Sequence, residues 1–408
     1  MIRWLSRPAL VTLELTPDCT NRCPGCFNPF RDARNRPPLP ASEWRRILEK
    51  ICPDAHLVKL SGGEPTLHPE FDDILTFLDE FDQPFSLFTN ALWERPGWLV
   101  QRLCSLPQFH VALISLHGVT PTAHEVFTGT PGSFTETVTN LRHAVRAGLT
   151  VCLSTVIHRH NLNELEGVAQ LAAALGVRVS FARMLCDEPS PLEPTPDELR
   201  AAVAEIERLR EAGYRVKFGN CIPQCFTPSA SAGCLAGVAY CAVGPWGDLR
   251  PCTHSLTLCG NLLTDSLAEV WQSPAMQSWR SLIPPACHRC AAFSQCHGGC
   301  HALSELRGTP GDPLMRGPQT SSTPPPPIRL SPDWCPAPTH FELRAEPFGP
   351  VLLRGNRVVP IQPKMLQVLD ACDGRTTLSE LEGRFGPWGI EVVAALAQQK
   401  MLHFVRLL

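Results

Sequence analysis

From residue 9 to about residue 213 the chain alternates two apolar patterns, and that alternation leaves few folds open. Short runs rich in Val, Ile, Leu and Phe fall at 9–15, 56–62, 85–90, 109–116, 149–157 and 177–185, and read as strands. Between them, stretches such as ASEWRRILEKI and PEFDDILTFLDEF place apolar residues three and four apart, as amphipathic helices do. Ser133 with Glu136 predicts a capping box for a helix that stops at Gly148. Thr195, Pro196 and Glu198 predict another helix start, with a stop at Gly213. Six strands with intervening helices predict an α/β fold with a mostly parallel sheet and right-handed crossovers, left open or curled into a full or partial barrel. In each of these forms ligands gather at the carboxyl ends of the strands.

The remainder of the 408 residues breaks this rhythm, and two or three domains are expected. Residues 214–340 are rich in Cys, Gly, Pro and Ser and have little periodicity, so something other than a large apolar core must hold them. Prolines concentrate between about 308 and 338, as in a long extended loop. From 341 the pattern is regular again: a hairpin turning near Gly355-Asn356, three short helices and a last strand, LHFVRLL. That order predicts a small winged-helix-like α+β module, and hence boundaries at 1–213, 214–340 and 341–408. The formal charge of −3 shows no basic excess of the kind nucleic acid attracts, and the N-terminus shows no signal peptide or apolar span. A cytoplasmic protein without a nucleic-acid or membrane partner is expected.

In such a compartment thiols stay reduced, so nineteen cysteines point to metal ligation before disulfides. Cys19, Cys23 and Cys26 stand in CTNRCPGCF, directly after the first strand. A four-iron, four-sulfur cube needs one ligand per iron, so three close cysteines leave one iron open. A zinc site completed by a distant cysteine or histidine is the alternative. The second strand ends in SGGEP, where Gly62 and Gly63 allow close backbone approach and Glu64 stands before Pro65. Thr89-Asn90 ends the third strand, Ser115-Leu116-His117-Gly118 the fourth, and Asn161 follows the fifth.

In this order the motifs resemble the radical S-adenosylmethionine (radical SAM) superfamily over roughly residues 9–210. The resemblance implies a partial (β/α)6 radical SAM barrel, with a [4Fe-4S] cluster on Cys19, Cys23 and Cys26. It implies SAM held by Gly62, Gly63, Glu64 and Pro65, with Thr89, Asn90, Ser115 and Asn161 along its ribose and methionine parts. It further implies one-electron cleavage of SAM to a 5′-deoxyadenosyl radical that removes a hydrogen atom from the substrate. Relatives often carry an aromatic residue just before the third cysteine; here Gly25 stands there and Phe27 follows Cys26.

Residues 287–300, CHRCAAFSQCHGGC, with Cys234, Gly247, Cys252 and Cys335, resemble the SPASM extension of radical SAM maturases. The resemblance implies two auxiliary four-iron clusters, three in all. Auxiliary cluster I would take Cys234, Cys252 and Cys300 with Cys241 as fourth ligand, and auxiliary cluster II would take Cys287, Cys290, Cys296 and Cys335. A pair of structural zincs is the alternative. Cys221 and Cys225 are left over, as rival ligands for cluster I, caps of an open site, or bystanders. Cys52, Cys104, Cys152, Cys186 and Cys372 read as small core residues. His254, His288, His297 and His301 read as surface polar residues, with tuning of the clusters as the alternative.

Residues 341–408 resemble the PqqD-like modules that bind a leader peptide by strand addition; DNA binding and a structural cap are the alternatives. Together these resemblances imply a maturase that installs a cross-link in a ribosomally made precursor peptide and draws electrons from a flavodoxin or ferredoxin. Oxidation of a protein residue or small cofactor precursor is the enzymatic alternative, and a non-catalytic electron carrier or regulator the other. No catalytic acid, base or radical-relay residue stands out.

Overall fold

The structure is a computed structural model that describes residues 2–26, 28–227, 233–321 and 328–406. Phe27 and the proline run within 322–327 lie outside the described residues. The chain divides into two compact units, Met1–Ser322 and Thr323–Leu408.

The first unit is built on one sheet. Its strands are β1 (Leu10–Glu14), β2 (Leu57–Ser61), β3 (Phe85–Thr89), β4 (Phe109–Ser115), β5 (Val151–Ile157), β6 (Arg178–Arg183), β7 (Val216–Phe218), β8 (Tyr240–Val243), β9 (Asp248–Arg250) and β10 (Gly260–Asn261). The order is β10-β9-β8-β1-β2-β3-β4-β5-β6-β7, parallel from β8 through β7 and antiparallel at β9 and β10. All six strands expected from the sequence are present in the expected order. Helices cover the sheet because their apolar residues recur at helical spacing: Ala41–Ile51 buries Trp44, Ile47, Leu48 and Ile51 against Val11, Leu13, Val58 and Leu60. Parallel neighbours put the carboxyl ends of β1 to β5 side by side, which assembles the loops that follow them into one site.

Beyond β6 the chain stays within the first unit as far as Ser322. Strand β7 continues the sheet beyond β6, and β8 lies in register beside β1, Leu13 being flanked by Leu60 and Val243. These added strands are two to four residues long, too short to show a period in sequence. The helix expected to begin with a Ser133 capping box runs Ser133–Arg146 with Gly132 before it. Ser133 is inside the helix and bonds the Thr128 hydroxyl at 2.8 Å. The free amides are taken instead by the Glu125 carboxylate, which accepts from Gly132 at 2.9 Å and Phe134 at 3.3 Å. The capping box at Thr195 and Glu198 is present.

The second unit has its own core of Leu352, Val368, Leu381, Val393 and Met401. A three-stranded antiparallel sheet joins β12 (Glu342–Glu346), β13 (Gly349–Arg354) and β14 (Arg357–Pro360), and β11 (Trp334–Pro338) pairs with β15 (Leu402–Arg406). Helices Met365–Asp370, Leu378–Phe385 and Pro387–Gln398 lie between β14 and β15 in the chain. Gly355-Asn356 makes the expected hairpin turn; β11 and β12 were not foreseen. Among the described residues no helix is long and apolar enough to cross a membrane.

Candidate active site and cysteine fields

The loop after β1 bends because its own side chains take up its carbonyls. Arg34 donates to the carbonyls of Cys19 (3.1 Å) and Asn21 (2.8 Å), and Arg31 to that of Cys26 (2.6 Å). Cys19, Cys23 and Cys26 thereby wall one cavity of about 140 Å³, opposite Gly62, Gly63, Thr89, Asn90 and Ser115. Burial pushes the Cys19 thiol up to about 11, with the Glu64 carboxylate adding to it, and pushes Cys23 up to about 12, helped by Cys26 and Cys19. Ligation to a metal must therefore displace protons, as for any thiolate site.

The two glycines let this loop meet the one after β2. Gly62 has φ +142°, and a side chain there would meet the Thr16 carbonyl at 2.6 Å. A Cβ on Gly63 would lie 2.1 Å from the Asp18 carbonyl oxygen. Their backbones are joined instead, Gly63 N–H donating to Thr16 (2.8 Å) and Glu64 N–H to Asp18 (2.6 Å).

Glu64 and Pro65 do not reach the cavity wall. The Glu64 carboxylate is fully buried, and its oxygens accept from the Thr66 amide and hydroxyl (3.3 and 2.7 Å), the Thr89 hydroxyl (2.8 Å) and the Asn90 amide (2.8 Å). Three of these donors meet Oε1 and one meets Oε2, so the carboxylate keeps an acceptor position beyond its neighbours. Asn161 is likewise internal: it accepts from His158 N–H at 2.9 Å and donates to the carbonyls of His117 and Val156, each at 2.7 Å. Both residues position the strand ends that line the cavity.

His117, named in the sequence at the end of the fourth strand, is on this wall, whereas Gly25 and Met184 are not among its lining residues. His117 packs on Phe127, ring centres 4.3 Å apart, next to His124 and His158. Burial, then the neighbouring imidazoles, holds His117 well below the ordinary histidine range; burial lowers His124 and His158 to about 4. Gly25, where relatives place an aromatic, faces the Met184 methyl: a Cβ there would lie 2.2 Å from it. Met184 comes from beyond β6, so no local signal could have disclosed the exchange. Under the site, Thr12 bonds Tyr240 at 3.0 Å, Glu14 pairs with Arg250, and the Lys59 ammonium stands 5.4 Å from the Phe88 ring centre. The polar letters at alternate positions of LVTLE were the available sign of this second, polar face.

The cysteine fields come together only in part as expected. Cys234, Cys252 and Cys300 pack in one buried group, and Cys221 is in it. Cys287 and Cys290 pack around Phe293, with the Cys296 thiol beside Cys287. Cys241 goes elsewhere. It belongs to the main core, nearest Cys259 and Arg280, because β8 alternates its side chains and Tyr240 and Ala242 take the opposite face. Cys335 lies in the second unit, where its thiol donates to the Arg375 carbonyl at 3.3 Å. Cys52, Cys152, Cys186 and Cys372 are buried or half-buried, whereas Cys104 is exposed. His301 is not a surface residue; it is buried on Trp279, ring centres 5.1 Å apart, and His297 Nδ1 meets the Cys234 carbonyl at 2.9 Å.

Among the described residues no three His, Cys, Asp or Glu side chains stand close enough to share a single ion. The ligands of an iron–sulfur cube each take a different iron and stand farther apart. Three thiols around a cavity that Gly62 and Gly63 also line fit such a cube with one open iron and a small zwitterion next to it.

Comparison with known proteins agrees with this geometry. Residues 13–172 match the radical SAM superfamily, and residues 234–297 match SPASM, an iron–sulfur cluster-binding domain. The chain is 29% identical over 332 residues to the mycofactocin maturase MftC of Mycobacterium tuberculosis, covering 76% of this chain and 82% of that one. It is 27% identical over 340 residues to the PqqA peptide cyclase of Ruegeria pomeroyi, covering 78% and 88%. Among solved structures, Streptococcus suis SuiB bound to its precursor peptide SuiA shares the fold, with a TM-score of 0.64, 19% identity and 77% of each chain covered.

Proposed function

We infer the function from one premise: this chain belongs to the radical SAM superfamily and carries a SPASM iron–sulfur domain. Its activity is the radical modification of a ribosomally made precursor peptide, with a cross-link as the product. The observation that carries this reading is the shared cavity of Cys19, Cys23 and Cys26 with Gly62 and Gly63. The peptide class is supported by the relatives, a mycofactocin maturase and a PqqA peptide cyclase.

The three thiolates would hold the cluster, and the cavity beyond them would take SAM. The chemistry these groups supply when bound is one-electron cleavage of a SAM carbon–sulfur bond, which yields a 5′-deoxyadenosyl radical able to take hydrogen from the peptide. The protein's own residues orient and enclose. Gly62 and Gly63 let this turn close on the loop after β1, where a Cβ would meet the Thr16 and Asp18 carbonyls, and the turn so placed would face the amino-acid end of SAM. Glu64 fixes Thr89 and Asn90, and Asn161 fixes the His117 carbonyl, so the polar wall is set before ligand arrives. Met184 offers a thioether beside Gly25 where an adenine would pack.

The remaining parts follow from the same reading: two auxiliary clusters in the cysteine fields, a flavodoxin or ferredoxin as electron donor, and a cytoplasmic setting. The second unit would hold the leader of the peptide by strand addition, for which the edges β12 and β14 are suited, Leu343 on β12 being 52% exposed. The test is anaerobic reconstitution with SAM and a strong reductant, followed by co-expression with short open reading frames from the neighbourhood. Release of 5′-deoxyadenosine and a peptide lighter by two hydrogens are expected. Zinc in place of iron and sulfide, with no nucleoside formed, would sink the assignment.

A further inference from the structure

Cys241 is turned into the main core and Cys335 belongs to the second unit, while two cysteines left over, Cys221 and Cys225, stand beside the fields. The turn that carries Cys221 and Cys225 is tight, with Phe226 and Thr227 amides both donating to the Pro223 carbonyl (2.9 and 3.2 Å). It lies on the segment where the two fields adjoin. A Cβ on Gly299, between Cys296 and Cys300, would be 3.4 Å from Pro223. At one end of the turn, Cys221 is buried in the same packed group as Cys234, Cys252 and Cys300. At the other end, Gln224 bonds the side chains of Gln295 (3.4 Å) and Gln319 (2.8 Å). The 316–319 segment then clasps both sulfurs of that side: Arg316 N–H donates to Cys225 Sγ at 3.3 Å, and Gln319 N–H to Cys290 Sγ at 3.2 Å. Amide donors aimed at sulfur are what a thiolate ligand to iron receives.

We propose that the turn 221–225 supplies one thiolate to each auxiliary cluster: Cys221 completes the set Cys234, Cys252 and Cys300, and Cys225 completes Cys287, Cys290 and Cys296. Each thiol gives its proton to solvent as it binds iron. Cys241 and Cys335 then have structural roles only, and both clusters are ligated wholly within the first unit. A single short turn links the two clusters covalently, four residues apart. This rests on the reading that both fields hold four-iron clusters.

The test uses full-length protein in which Cys19, Cys23 and Cys26 are alanine, so that only auxiliary clusters contribute. Iron, acid-labile sulfide, zinc and the paramagnetic resonance of the reduced protein are measured. Cys221→Ala and Cys225→Ala should each lower iron and sulfide by up to about half, one of two clusters, and each should alter a different one of two signals. Cys225→Asp should retain iron with an altered signal, since an oxygen ligand replaces sulfur. Cys241→Ala and Cys335→Ala should leave iron, sulfide and both signals as they were. Loss of iron in Cys241→Ala or Cys335→Ala overturns the assignment, even if the other variants fold poorly. Unchanged signals in Cys221→Ala and Cys225→Ala do the same. Failure of the underlying reading looks different: zinc without sulfide before any of these four positions is changed.

Discussion

A side chain at residue 63 has no room, and the obstacle is backbone. Gly63→Ala would press a methyl onto the Asp18 carbonyl, so the loop bearing Cys19 has to shift. We expect SAM affinity to fall at least about tenfold, roughly 1.4 kcal/mol, with the iron content of the anaerobic protein retained; equilibrium dialysis checks the first and iron analysis the second. The SGGEP letters were legible as a site through their resemblance to the radical SAM run at the end of a second strand. The task of Glu64 was not. Whether a carboxylate faces a ligand or its own neighbours depends on Thr89 and Asn90, residues about 25 positions away that only the folded sheet brings to it. Met184 at Gly25 was hidden for the same reason, while Cys221 was among the alternatives for cluster I and only the fold sets it beside Cys300.

Among elements, the six βα repeats could be read from sequence because each is long enough to show its period, and the short strands β7 to β10 could not. His117 after β4, His158 after β5 and His124 on the helix Pro121–Thr128 form a titrating device. Burial holds their folded pKa values below the ordinary 6.5, to about 4 for His124 and His158. Between pH 6.5 and 4 the unfolded chain therefore binds protons that the folded chain refuses, and stability falls as pH falls. The unfolding temperature should drop between pH 7 and pH 5, and His124→Asn should flatten that slope; thermal scans at stepped pH decide it. At the end of β6, Arg183 makes a buried pair with Asp312, which also accepts from the Cys300 amide at 2.9 Å. Removing one partner of such a pair costs about 3–5 kcal/mol. Asp312→Ala should show this loss in chemical denaturation and should loosen the Cys300 field with it.

Across the whole molecule, what holds each part differs. The second unit has its own apolar core, whereas residues 214–321 join the main core through Val243, Leu249, Leu262 and Trp271 and gather the rest of their contacts around the cysteine groups. Stripping the clusters with chelator and oxidant should open the 214–321 region to limited proteolysis while a fragment of the second unit survives; mass spectrometry of the digest checks both. This contrast was legible as a change in composition at 214, but the way that region rejoins the sheet was not. The pairing of β8 with β1, Leu10 opposite Tyr240, carries a consequence for biosynthesis. β1 leaves the ribosome some two hundred residues ahead of this partner. Until that partner emerges, Leu10–Leu13 present bare amides and carbonyls on an apolar ribbon, ready to pair with any other nascent chain. A shortened version ending before residue 240 keeps that ribbon uncovered for good, so insolubility of such fragments is built into the topology.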